Sequence, residues 1–115
     1  MNSKQLASKI AELMQEKKGS GIMIMDLQKL TNVTDFFVIC SASTDIQVKS
    51  IADHVKVETK KVDEVSWHNE GYTSLSWILL DYVNVVVHIF KDDLRKFYNL
   101  EGLWADAEVT VIKDE

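Results

Sequence analysis

Four short apolar runs limit what this chain can become: Ile22-Met23-Ile24-Met25, Phe36-Phe37-Val38-Ile39-Cys40, Trp77-Ile78-Leu79-Leu80 and Val85-Val86-Val87-His88-Ile89-Phe90. None approaches the ~18 residues of a membrane span. Their length and their β-branched and aromatic content suit inner strands. The last two runs lie close enough in sequence to form an antiparallel hairpin. A fold that buries these strands needs helices to cover them, and the intervening segments carry a helical period.

Residues 3–18 place Leu6, Ala7, Ile10, Leu13 and Met14 on one helical stripe. Asn2 with Gln5 predicts a variant capping box at its start. Gly19 predicts its end, by taking the left-handed conformation. A second helix is expected over about 45–62, opened by a capping box of Thr44 with Gln47. Its apolar stripe is Val48, Ile51, Ala52, Val55 and Val62, with Lys49, Lys56, Lys60 and Lys61 facing elsewhere.

The hairpin turn at Tyr82-Val83-Asn84 is awkward, because only Asn84 takes positive φ comfortably and Val83 takes it poorly. A longer or shifted turn is expected there. Asp92 is placed to cap a short helix over about 93–100 carrying Leu94, Phe97 and Tyr98, and Glu108–Ile112 alternates as a final strand. With the polar stretch Trp67–Gly71 ahead of the hairpin, the order reads α-β-β-α-β-β-β-α-β. This is an α+β fold with a mixed β-sheet flanked by helices. The chain has no proline and only four glycines, so no linker or repeat is visible, and one domain over 1–115 is expected.

Charge and cysteine content narrow the function classes. Thirteen basic residues against eighteen acidic give a net charge of −5, which disfavours holding nucleic acid through the protein's own charge. Cys40 is the sole cysteine, so no internal disulfide framework exists and a reducing compartment fits. No signal or transit pattern is visible from Met1 onward, which makes the cytoplasm the expected location and a membrane an unexpected partner.

Most chemistry is missing. His54, His68 and His88 are too widely spaced for a zinc site, and Cys40 ending an apolar strand reads as a small hydrophobe. Gly19-Ser20-Gly21 lacks the Lys-Ser/Thr ending of a phosphate loop and precedes a strand. The layout resembles a nucleotidyltransferase domain, where two metal ions require acidic residues two positions apart on a strand. Gly71 and Ser74 precede Asp81, but the flanking positions are Leu79 and Val83. The catalytic carboxylate pair is therefore absent. No catalytic residue, no metal site and no cofactor is expected.

Several ordered blocks are similar to the ribosomal silencing factors, the Iojap-like family. They are Thr34-Asp35-Phe36-Phe37-Val38-Ile39-Cys40-Ser41, then Asp45-Ile46-Gln47-Val48-Lys49-Ser50-Ile51-Ala52-Asp53. Glu70-Gly71 follows, with Trp77-Ile78-Leu79-Leu80-Asp81-Tyr82. The last are Val85–Phe90, Arg95, Tyr98, Leu100-Glu101 and Leu103-Trp104. The resemblance covers about 34–104. It departs from the family pattern at Ala42, where glycine is frequent nearby, and at Val83-Asn84, where Gly-Asp is frequent.

The resemblance implies a binding protein with a nucleotidyltransferase-like fold. It would hold the large ribosomal subunit through the fourteenth large-subunit protein and sterically block the small subunit, repressing translation when nutrients are short. It also implies a homodimer off the ribosome. The residues add a mechanism, since an acidic protein suits a basic ribosomal protein better than bare RNA. Trp77 and Tyr82 bracket Asp81, so an indole, a phenol and a carboxylate would form one patch, with His88 on the neighbouring strand and Asp35 as a further contact. Trp77 also reads as core, and Asp35 as a turn residue. Arg95, the lone arginine, is expected to pair internally or with a partner, Asp81 being one candidate. Tyr98 and Trp104 are structural or dimer candidates. Two other readings of the function compete: a large-subunit assembly factor, and a nucleotide-binding remnant of the transferase fold.

Overall fold

A computed structural model describes residues 1–113 of the chain. Helix α1 spans Ser3–Glu16 and opens on the expected capping box. The Gln5 N–H donates to Asn2 Oδ1 at 2.8 Å, and the Asn2 N–H donates to Gln5 Oε1 at 3.0 Å. Its apolar stripe of Leu6, Ala7, Ile10, Leu13 and Met14 is fully buried.

The helix ends differently from expectation. Lys18, not Gly19, carries the positive φ, at 64°. Gly19 is needed for proximity instead: a Cβ there would lie 3.2 Å from both Cys40 Sγ and the Met14 carbonyl oxygen.

Strands β1 (Ser20–Asp26) and β2 (Phe36–Ala42) follow, then helix α2 (Asp45–Lys60). Thr44 caps α2 by accepting the Gln47 N–H at 3.1 Å, while the Gln47 amide reaches across to the Lys18 carbonyl and does not close the box. Because α2 stops at Lys60, Val62 falls beyond it and is exposed rather than on the buried stripe.

The remaining elements are β3 (His68–Glu70), β4 (Trp77–Asp81), β5 (Val85–Lys91), α3 (Asp92–Tyr98), α4 (Leu100–Leu103) and β6 (Glu108–Val111). The single short helix expected over 93–100 is thus two. Asn99 at φ 48° breaks the first, and its side chain accepts the Gly102 N–H of the second. Lys91 occupies the N-cap of α3 with no side-chain bond, so Asp92 lies inside the first turn and is not the cap.

The six strands form one mixed sheet in the order β3-β4-β5-β2-β1-β6. The central pair β2·β5 is parallel, Phe36 opposite Val85 through Ala42 opposite Lys91, and every other pairing is antiparallel. The expected α+β fold is therefore the one observed.

Alternation along the strands divides the side chains between two faces. Val38, Cys40, Ile78, Leu80, Val87 and Ile89 point to the face covered by α1 and α2, and form the main core with them. Each such aliphatic side chain contributes about 1.5–3 kcal/mol on burial. The opposite face carries Met25, Ile39 and Phe90, with Trp77, Leu94, Leu100 and Trp104 packed around them. Only the short α3 and α4 shield it.

The turn between β4 and β5 is tight, contrary to expectation. Tyr82 N–H donates to the Val85 carbonyl at 2.8 Å and Asn84 N–H to the Tyr82 carbonyl at 3.0 Å. Val83 takes positive φ, at 73°. Two neighbours hold it there. Asp81 Oδ1 accepts the Val83 N–H at 2.7 Å, and the Asn84 carbonyl accepts the N–H groups of Asp35 and Phe36 at 3.0 and 3.2 Å. The start of β2 thus locks a turn that Val83 would not adopt alone.

Candidate functional site

The thinly covered face of the sheet collects aromatic rings, and the strand register explains why. Trp77 lies opposite Phe90 across β4·β5, and Leu79 opposite His88. Because β2 carries Phe36 and Phe37 in succession, Phe36 enters the core while Phe37 joins the aromatic face.

The rings are locked to one another. Trp77 stacks on Phe90 with centroids 4.9 Å apart, and Tyr98 of α3 lies 4.6 Å from Trp77. Phe37 meets His88 edge-on at 4.6 Å and Trp104 at 6.0 Å. The Trp77 indole N–H donates to His88 Nδ1 at 3.1 Å.

That bond assigns the His88 tautomer. Nδ1 accepts, so the proton sits on Nε2, which is buried without a hydrogen-bond partner among the described residues. Burial pushes the imidazole pKa down from 6.5 to about 3, so His88 is neutral at physiological pH.

Trp77, His88, Tyr98 and Trp104 are therefore brought together, and Asp81 lies on the same face. It pairs in register with Val86 and His68, and is half-exposed. Tyr82 is not part of this patch. It points to the helix-covered face, where it is buried and its hydroxyl bonds Thr59 Oγ1 at 2.8 Å. Burial raises its phenol pKa. Strand alternation alone separates Asp81 from Tyr82, so the expected trio of indole, phenol and carboxylate does not form.

Asp35 is half-exposed and acts through its backbone, donating to Asn84 and accepting from the Leu27 N–H at 2.8 Å. Arg95 pairs internally, but with Glu101 at 2.9 Å rather than with Asp81. Its Nη1 also donates to the Ser20 carbonyl and to Ser41 Oγ, both at 3.3 Å. Gly21 makes room for it, since a Cβ there would stand 2.5 Å from Nη1. Arg95 thus ties α3 to the sheet rather than facing a ligand.

Sequence reasoning missed three exposed apolar side chains: Phe97 on α3, whose ring lies 5.2 Å from Tyr98, Leu103 on α4, and Trp67 just before β3. Phe97 was visible only as a helix residue. Its outward direction becomes legible once Tyr98 is known to pack inward against Trp77.

Among the described residues there is no group of three His, Cys, Asp or Glu side chains able to hold a metal ion, and no helix long and apolar enough to cross a membrane. His54 bonds Glu16 at 2.8 Å and His68 bonds Glu70 at 3.0 Å. What the face offers is an apolar, aromatic surface.

The family model described as "Ribosomal silencing factor during starvation" matches residues 1–115. The ribosomal silencing factor RsfS of Bacillus subtilis is 36% identical over 107 residues, covering 93% of this chain and 91% of its own. That of Halalkalibacterium halodurans is 33% identical over 107 residues, covering 93% and 92%. A chloroplastic Iojap protein of Zea mays is 34% identical over 103 residues, which is 88% of this chain and 44% of the maize protein. A crystal structure of a Chromobacterium violaceum protein superposes with a TM-score of 0.86 at 32% identity, over 91% of this chain and 88% of that one. A family model that spans the whole chain, with relatives above 30% identity along most of its length, places this protein in the ribosomal silencing factor family.

Proposed function

We propose that the chain docks on the large ribosomal subunit through its fourteenth protein, and that its bulk there excludes the small subunit, repressing translation without a chemical step. The observation that carries this reading is the half-covered aromatic face. Phe97 stands exposed with its ring 5.2 Å from Tyr98, beside the packed array of Trp77, Phe90 and Tyr98, which is the anatomy of an anchor set in a firm surround. A net charge of −5 favours a basic protein partner over bare RNA. Off the ribosome, a second copy would cover the same exposed side chains, giving a homodimer. The cytoplasm is the compartment proposed.

Co-sedimentation tests this. The chain should pellet with isolated large subunits, and adding small subunits should yield fewer joined ribosomes than in its absence. Phe97→Ala should bind about tenfold more weakly at unchanged stability. Binding with undiminished joining would replace silencing by a role in large-subunit assembly. No pelleting would overturn the reading.

A further inference from the structure

We propose a second contact surface at the end of the sheet, centred on Trp67 and Val83, which takes a basic, apolar segment of a protein partner. It rests on the ribosome-binding reading and extends it beyond the aromatic face.

Three elements meet at this end. The Trp67 N–H donates to the Asp81 carbonyl at 2.7 Å, which sets the start of β3 beside the β4–β5 turn. The Asn84 carbonyl holds the start of β2 against the same turn. Thr59, in the last turn of α2, bonds Tyr82 just before it. Strands about 4.8 Å apart put the β3, β4–β5 and β2 ends within roughly 15 Å.

The side chains at this end are apolar and outward. Trp67 is 77% exposed, Val33 83% and Val83 54%. A lone exposed valine means little, but an indole so exposed leaves unusual apolar area in water.

Val83 adds an independent observation. A β-branched residue at φ 73° is strained, and glycine would relieve the strain. The fold nevertheless holds Val83 there through the Asp81 Oδ1 acceptor and through the Asn84 carbonyl bonded to the start of β2, so that an isopropyl group projects from the tip. Backbone strain of this kind clusters at ligand clamps and switch regions.

Charge selects the occupant. Asp81 and Asp35 are tied to this same turn, Asp81 Oδ1 accepting the Val83 N–H and the Asp35 N–H donating to the Asn84 carbonyl. Carboxylates around an apolar centre attract a lysine- or arginine-bearing protein segment and repel phosphate.

The test uses the whole chain with isolated large ribosomal subunits as the probe. Trp67→Ala should weaken co-sedimentation about tenfold, and Trp67→Phe should restore most of it. Val83→Gly should raise the melting temperature yet weaken binding about threefold. A structural role cannot produce this opposite pair of signs. Wild-type binding that neither variant changes would overturn this surface and leave the aromatic face standing. Absence of wild-type binding would overturn both. Binding of protein-free ribosomal RNA that depends on Trp67 would make the partner a nucleic acid, and a shift in oligomeric state on Trp67→Ala would make it a second copy. Either outcome overturns the proposal.

Discussion

The indole N–H of Trp77 and Nδ1 of His88, 3.1 Å apart, form a bond that exists only while the imidazole is neutral. A protonated ring would present two donors to one another across that gap. The pair therefore couples the aromatic face to pH. His88 titrates at about 3 in the fold against 6.5 ordinarily, so as pH falls below 6.5 the unfolded chain takes up the proton first. Stability is fully present above that value and is lost progressively between about pH 6.5 and 3, at a slope approaching 1.4 kcal/mol per pH unit, ~1.4 being the worth of one pKa unit. Urea unfolding of wild type and His88→Gln between pH 4.5 and 7.5 checks this. The variant should start less stable at neutral pH and show a shallower acid slope.

Trp77 serves the fold before it serves a partner. Trp77→Phe keeps the stack on Phe90 but leaves His88 Nδ1 without its donor, at a cost of about 1–3 kcal/mol. Trp77→Ala also opens a cavity and should cost about 3–5 kcal/mol. Denaturant midpoints of the two variants should rank in that order. An equal loss in both would mean that the hydrogen bond, not the packing, dominates.

Asp81 allows charge and turn geometry to be separated. Its Oδ1 holds the Val83 N–H, and an asparagine oxygen can do the same. Asp81→Asn should keep stability within about 0.5 kcal/mol of wild type, whereas Asp81→Ala should lose about 1 kcal/mol. If the carboxylate contacts a basic partner, both should weaken large-subunit binding, read by co-sedimentation at low and physiological salt.

Arg95 and Gly21 form a coupled pair. Arg95→Lys loses the forked contacts to Glu101, Ser20 and Ser41 and should cost about 1–3 kcal/mol. Gly21→Ala displaces the same guanidinium and strains a φ of 56°. The double variant should then lose at least ~0.5 kcal/mol less than the sum of the singles. Strict additivity in thermal unfolding would show that the two do not compete for one space.

Cys40 should be chemically silent. Burial pushes its thiol pKa up to about 12, so reaction with a thiol reagent at pH 8 requires unfolding. Labelling should run about 10³-fold or more slower than in denaturant, and should accelerate in step with unfolding when urea is added.

Much of the fold was legible because local chemistry and tertiary packing agree. The α1 stripe, the Asn2–Gln5 box and the alternating runs all survive in three dimensions. What escaped the sequence was decided by distant neighbours. Gly19 matters through Cys40, Val83 is held by Asp81 and by the start of β2, and the Gln47 amide prefers Lys18 to its own cap. The aromatic face was half legible. Trp77 and His88 come together as strand register dictates and Tyr98 joins them from α3, whereas Tyr82 follows Asp81 in sequence, which along a strand means opposite faces.

The parallel pairing of β2 with β5 also bears on how the chain is born. Phe36 finds its partner Val85 only 49 residues later (85 − 36), and the order β5-β2-β1 leaves β2 open on one side until then. At about 5–20 residues per second, a nascent chain carries that apolar edge for roughly 2–10 s before β5 emerges. The first 60 residues, though they hold both long helices, cannot close the sheet by themselves. The centre of the sheet therefore closes only once β5 has been made, and β6 joins the far edge after it.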